Sequence, residues 1–429
     1  MSTALWGLLL IGLFGLLTSS IFLGMVLVGA CRFRRAALRE EARFGVRPEF
    51  LPPISLFKPL HGDEDGLEAN LRTFFEQDYL QHVGAMGAAT VENGVSRVEV
   101  LFCARSKADE GLEIARRVAA DYPEIATRFL TSGAPWAANA KVCSLAAMAK
   151  VATHDLWAIS DSDVRVTPDY LRRIVLPFAD EQVGCSTCLY RGVAMKSGLW
   201  SQLEAVGMTV EMSSGICADT LVEPVQFALG PTMVMRRQRV EEMGGFESIA
   251  EYCADDFVLG NRIANNGHKV VLSGHAIDHM VLQADFVESM KHQVRWMKST
   301  RFSRPKGHLG TALTFGVPFG VMAWASALLL DMPVLAWCAL LGSVLGRSVQ
   351  AWAVGKYVVQ EKRIWAAMLL FPLRDLIGPL IWGLSYASNR IHWRGEIYEL
   401  VDGGRMRRAA GSRTSSLATS KFASTPERR

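Results

Sequence analysis

Charge is missing from the start of this chain. Residues 4–30 contain no Asp, Glu, Lys, Arg or His, and an apolar stretch of that length is enough to cross a bilayer. It also lacks the basic opening, short apolar core and small-residue cleavage site of a signal peptide. The segment therefore reads as an uncleaved anchor. Arg32, Arg34, Arg35, Arg39 and Arg43 follow at once, which sets the next domain on the cytoplasmic side by the positive-inside rule. The chain is therefore expected to be an integral membrane protein with its next domain on the cytoplasmic side, whether of a bacterial inner membrane or of a eukaryotic internal membrane such as Golgi or ER.

An excess of one charge is missing too. Lys and Arg number 46 against 42 Asp and Glu, a net +4, and nothing points to a nucleic-acid partner. Eight cysteines are scattered along the 429 residues. The one close pair, Cys185 and Cys188, lies in an apolar run that reads as a strand, with no second Cys/His pair at zinc spacing. Buried thiols are expected, not a metal site or a disulfide scaffold, in keeping with a reducing compartment. Half of the residues are hydrophobic, high for a purely soluble protein.

From residue 54 the pattern alternates strands and helices. Ile54–Leu60 and Val98–Cys103 read as strands, and a shorter one lies near 125–130. Between them stand helical patterns at 67–75, to about 120, and from Asn139. Residues 81–96 read as a loop insertion. Such alternation predicts βαβ units and a mainly parallel sheet. Leu199–Met212 has the spacing of an amphipathic helix lying on a surface, and residues 230–237 read as a strand beside the active-site edge. Glu288–Arg304 reads as a basic membrane-surface helix with Lys291, Arg295 and Lys298 on one face. Apolar tracts follow near 311–330, 332–355 and 364–386. Arg347, Arg374 and Asp375 within them are expected to face protein or water, or to mark a tract that does not fully cross.

The most informative stretch is Asp155-Leu156-Trp157-Ala158-Ile159-Ser160-Asp161-Ser162-Asp163. A buried strand ending in two carboxylates presents them at its carboxyl edge, where open α/β sheets bind ligands. Asp161 and Asp163 are hard oxygen donors suited to Mg²⁺ or Mn²⁺, which bridges to substrate phosphates. A solvated turn between strand and helix is the bland alternative. Asp255 and Asp256 open another helix, where they could simply complement its dipole.

Taken in order, Ile54–Gly62, Asn70–Tyr79, Ile159–Asp169, Ala254-Asp255-Asp256-Phe257 and Val294-Arg295-Trp296 resemble the ceramide glucosyltransferase branch of the GT-A glycosyltransferases. The likeness runs over residues 5–405. It implies an α/β fold of GT-A type, a mainly parallel sheet with helices on both faces, plus one N-terminal and two to three C-terminal transmembrane helices. The implied parts are an anchor at 1–31, a basic juxtamembrane linker at 32–53 and a catalytic domain at 54–287. An interfacial basic helix at 288–308, membrane segments at 309–388 and a basic, largely disordered tail at 389–429 complete it.

The resemblance also implies roles. Asp161 and Asp163 hold the metal, and Asp161 serves the donor diphosphate as well. Asp256 is the base, and Arg295 with Trp296 ends the motif that closes over both substrates. Lys58, Asp109, Lys141 and His292 fall at donor-binding positions. Two departures stand out: Ser106 occupies the place of an early family aspartate, leaving Asp109 at a second acidic position, and His292 replaces a Gln or Arg. The implied reaction is inverting transfer of a sugar, glucose or a related one, from a UDP-sugar to the primary hydroxyl of ceramide or a ceramide-like lipid. Another lipid alcohol such as a hopanoid is the near alternative. A processive polysaccharide synthase is the remoter one, for which the apolar tracts look too few.

Overall fold

The computed structural model describes residues 2–46, 50–85, 90–92, 95–393 and 396–409. The anchor is the first turns of one helix, Ser2–Val46, roughly 68 Å long at 1.5 Å per residue. The arginines placed in a linker lie in the last turns of that same helix, so the expected linker over 32–46 is helical. Trp6, Leu10, Phe14, Leu17 and Ile21 point outward on its first half. Its second half docks on the α/β domain, with Glu40 accepting from Ser273 Oγ at 2.8 Å and Gly274 N at 2.9 Å.

The strands are β1 (Ile54–Pro59), β2 (Val91–Glu92), β3 (Val95–Ser96), β4 (Val98–Ala104), β5 (Ala126–Thr131), β6 (Leu156–Ser160), β7 (Val164–Arg165), β8 (Val183–Ala194), β9 (Thr232–Arg236), β10 (Lys269–Val281), β11 (Arg390–Trp393), β12 (Glu396–Val401) and β13 (Arg405–Arg408). Eight of them form one sheet in the order β5-β4-β1-β6-β9-β8-β10-β7. It is mainly parallel, with β9 antiparallel to both neighbours and β7 antiparallel to β10. Side chains alternate across a strand, and here both faces are covered. Ile54, Leu56, Phe102 and Ala158 belong to one core, while Phe57, Leu101, Trp157 and Ile159 belong to the other. That explains why these strands are continuous apolar runs.

Several segments depart from the sequence-based expectation. Residues 79–85 form a helix and β2–β3 a small hairpin within the expected loop insertion; residues 86–89 and 93–94 lie outside the described residues. The helix Leu199–Val206 and the π-turn after it are not a surface element. Leu203, Glu204, Val206, Met208 and Val210 are buried, because this segment packs between β8 and the helix Ile364–Leu384. The expected disordered tail carries the antiparallel sheet β11–β12–β13; residues 410–429 lie outside the described residues. The basic helix, Phe286–Ser303, turns part of its cationic face to that sheet. Lys298 donates to Arg390 O and Arg301 to Asn389 Oδ1.

Among the described residues, three helices have the length and composition to cross a bilayer: the anchor, Pro333–Val359 and Ile364–Leu384. Val317–Leu329 is shorter and runs back along the anchor, with Ala323 against Gly12 and Phe319 against Gly15. Pro333–Val354 returns beside it, Ser343 meeting Gly320. Ile364–Leu384 packs instead against Pro333–Val354, Leu199–Val206 and the basic helix. The charges in the apolar tracts are paired. Arg347 Nε lies 3.2 Å from Asp375 Oδ2, and Arg374 Nη2 lies 2.8 Å from Glu211 Oε2. Asp375 also accepts from Gly316 N and Val317 N.

Candidate active site

The site gathers at the carboxyl ends of β1 and β6. Lys58 lies in β1 on the side of Ile54 and Leu56, fully buried. Its Nζ donates to Asp161 O at 2.5 Å and sits 3.7 Å from the Phe74 ring centroid. Burial pushes the Lys58 ammonium down to about 7, against the pull of Asp161 and Asp163. Asp161 Oδ1 pairs with Lys141 Nζ at 2.5 Å, and Asp255 Oδ2 stands 4.0 Å from the same nitrogen. Burial disfavours the Lys141 charge, yet Asp161 and Asp255 more than reverse this and raise it. Lys141 is delivered by the helix Ala140–Ala149, whose cap Asn139 accepts from Val142 N and donates to Asp255 Oδ1 at 3.1 Å.

Asp163 pairs with His279 of β10, Nε2 to Oδ2 3.0 Å. Burial works against both charges, but each partner favours the other, holding the carboxyl low and raising the imidazole. The other carboxylate oxygen, Oδ1, is buried without a hydrogen bond. Such an orphaned oxygen costs free energy unless a ligand completes it.

Asp256 opens the helix Asp255–Asn265. Its Oδ2 accepts from Gly230 N at 2.7 Å and its Oδ1 from Phe257 N at 2.8 Å. A Cβ on Gly230 would sit 3.1 Å from Asp256 Oδ2 and 3.7 Å from Asp161 Oδ2, so the two carboxylates converge on this glycine. Burial, then the charge of Asp255, raises the Asp256 carboxyl to about 6, with Lys141 and the two amides pulling back. A carboxylate poised there can accept a proton near neutral pH.

Asp255 does more than complement the dipole of the helix it opens. It is buried, its Oδ2 has no hydrogen bond, and burial raises its carboxyl. Asp109 caps the helix Glu110–Ala120. Its carboxylate accepts from Gly111 N at 3.0 Å and from Gly62 N at 3.1 and 3.2 Å, which fixes the turn after β1. Ser106 is exposed and bonds Ala108 N. His292 Nδ1 meets buried Glu204 Oε1 at 2.6 Å, and its ring lies 4.6 Å from that of Trp296, which in turn stands 6.1 Å from His279. The Arg295 guanidinium covers the Trp393 ring at 5.9 Å.

Lys58, Lys141, Asp161, Asp163 and Asp256 therefore come together as expected, and His279, Asp255, Asn139 and Gly230 join them. Asp255 carried a signal in its adjacency to Asp256. His279 carried none, being one residue of a long strand. Among the described residues no three His, Cys, Asp or Glu side chains gather as a metal cage. Mg²⁺, however, commonly uses one or two carboxylates with substrate phosphates, and the Asp161–Asp163 pair with its orphaned oxygen fits that donor set.

Opposed carboxylates at the strand ends of an α/β sheet, beside apolar helices, are parts suited to glycosyl transfer, and a glycosyltransferase is what the comparisons return. The chain belongs to glycosyl transferase family 21, whose model matches residues 18–406. It is 22% identical over 369 residues to ceramide glucosyltransferase 3 of Caenorhabditis elegans, covering 83% of this chain and 74% of that protein. Ceramide glucosyltransferase 1 of the same organism is 22% identical over 374 residues, covering 84% and 74%. Among solved structures, the mannosyltransferase PcManGT of Pyrobaculum calidifontis, in complex with GDP-Man and Mn²⁺, aligns over 86% of this chain and 99% of its own. Its TM-score is 0.47 and its identity 16%.

Proposed function

We propose that the protein transfers a sugar, glucose or a related hexose, from a UDP-sugar to the primary hydroxyl of ceramide or a ceramide-like lipid, with inversion. The observation that carries this is the convergence of Asp256 and Asp161 on Gly230. Asp256 is poised to take the proton of an attacking hydroxyl, while Asp161 and Asp163 face the place of the leaving diphosphate. Mg²⁺ or Mn²⁺ bound by these two carboxylates would neutralise charge developing on that leaving group. Lys141 adds fixed positive charge beside Asp161, and Lys58 holds the turn after β6 through Asp161 O. Arg295 and Trp296 close one side. A base on the opposite face of the sugar from the departing phosphate gives single displacement, by the geometric reasoning used for inverting glycosidases.

The lipid acceptor is favoured by the apolar helices and by the names of the family relatives. We further propose that the catalytic domain faces the cytoplasm. In this topology the anchor, the whole apolar tract over residues 311–330 and Pro333–Val354 pass through the bilayer while Ile364–Leu384 is re-entrant or interfacial. Trp365, Leu369, Leu373, Leu376 and Leu380 make an exposed stripe on that last helix, as interfacial seating requires.

The test is UDP release by the full chain in lipid nanodiscs, with UDP-glucose and with or without ceramide. Ceramide-stimulated release with a glycosylceramide product supports the proposal. Release that no lipid alters, with a growing saccharide as product, would replace it with the polymer-synthase reading.

A further inference from the structure

The small C-terminal sheet does more than finish the chain. Its residues Tyr398, Leu400 and Met406 share a core with Ala138. Cys253 N donates to Gly404 O at 2.9 Å and Met406 N to Glu251 O at 2.7 Å, so the sheet is fastened to the segment leading into Asp255 and Asp256. Its open side faces the catalytic domain across a cleft. The inner wall of the cleft is Leu60 and His61 after β1, Arg105 after β4, and Ala140 at the start of the Lys141 helix. The outer wall is Trp393, Glu396 and Tyr398.

These walls have a chemistry. Trp393 is half-buried and offers an aromatic face, while Tyr398 is buried beside it in the core of the sheet. Glu396 is held by Tyr398 Oη at 2.8 Å and by Arg408 Nη2 at 3.1 Å, so a fixed carboxylate stands at the rim as a hydrogen-bond acceptor. The far end of the cleft abuts the Asn139–Lys141 turn, and Lys141 pairs with Asp161. Arg295 covers Trp393 and joins the outer wall to the helix that closes the diphosphate side. Ala140 of the inner wall is the chain neighbour of Lys141, so a nucleoside diphosphate held by its phosphates at Asp161 and Asp163 would extend its base toward these walls.

Resting on the transferase reading above, we infer that the C-terminal sheet is the outer wall of the nucleoside subsite, with Trp393 as the face on which the donor's base packs. Base–aromatic stacking contributes about 1–3 kcal/mol per base, so Trp393→Ala should weaken UDP binding roughly tenfold. The simpler alternative is that Trp393 only supports Arg295, and a base-free probe separates the two.

The experiment is calorimetric titration of the full-length protein in detergent with UDP and, separately, with inorganic diphosphate, both in Mg²⁺, for wild type, Trp393→Ala and Trp393→Phe. The expected result is weaker UDP binding by Trp393→Ala, near wild-type UDP binding by Trp393→Phe, and equal diphosphate binding by all three. Unchanged UDP affinity in Trp393→Ala, or equal loss of UDP and diphosphate, would overturn the inference and leave the transferase reading standing. A wild-type chain that binds neither probe would remove both.

Discussion

Asp256→Asn isolates the proposed proton acceptor at small cost in shape. The carboxylate takes one backbone N–H on each oxygen, Gly230 on Oδ2 and Phe257 on Oδ1. An amide keeps one of these and turns its NH₂ toward the other donor. One buried backbone hydrogen bond is therefore lost, an effect of about 1–3 kcal/mol on stability. The change also removes a charge that Asp255 and burial already disfavour, which offsets part of that loss. The rate should suffer far more, because an amide cannot take the hydroxyl proton, and losing a general base typically costs roughly 10²- to 10⁴-fold. The proposed function assigns UDP and the metal to other residues, so UDP affinity should stay near wild type. The assay is initial-rate formation of lipid glycoside in nanodiscs beside UDP titration. A folded Asp256→Asn protein with near wild-type turnover would remove Asp256 from the mechanism, and with it the case for inversion.

The acid limb of kcat/KM should follow Asp256. Its folded carboxyl lies near 6, above the ordinary value of about 3.9, so its contribution to stability is present below the ordinary value and is lost as pH rises through about 6. Activity runs the opposite way and rises with ionisation. Asp255→Asn removes the like charge that raises Asp256 and should move that limb to lower pH; an unmoved or raised limb would mean Asp255 does not act on Asp256. Asp163→Asn should raise the Mg²⁺ or Mn²⁺ concentration needed for activity, since it removes one charged ligand, whereas full activity of wild type in EDTA would make the carboxylate pair a turn only. A reporter fused after Arg429 should be active in the cytoplasm, and activity confined to the other side would mean Ile364–Leu384 crosses.

Much of the site was legible because its chemistry is local. β6 announces itself as an apolar run, and its carboxylates follow in the next residues; Asp255 and Asp256 likewise mark a helix start. What the sequence hid are partners brought by the sheet order. His279 reaches Asp163 because β7 folds back to pair with β10, placing Val164 opposite His279. Leu199–Met212 departs from the surface helix its spacing predicts for a related reason. Its Glu204 and Glu211 meet distant partners, the His292 ring and the Arg374 guanidinium, so most of the segment can be buried. The C-terminal sheet is hidden in the sequence because two of its strands are four residues long and carry arginine, which resembles a solvated tail until Ala138 and Cys253 supply the other side of the sheet.

The same sheet order ties the anchor to the chemistry. Glu40 grips Ser273 and Gly274 on β10, and six residues along that strand His279 holds Asp163. The anchor meanwhile packs its Leu9 against Ala323 and Ala336 of the apolar hairpin. From Leu9 to Glu40 the helix rises roughly 46 Å at 1.5 Å per residue, without a break. Gly29 allows it to lie directly on Cys217, where a Cβ would come within 2.2 Å of the carbonyl oxygen. The carboxylate pair is thus set at a fixed position relative to the apolar bundle by one helix and one strand, with no flexible linker between them among the described residues. On the proposed function, this fixed geometry requires the lipid hydroxyl to come to Asp256, and the apolar surface beside the domain is the route it would take.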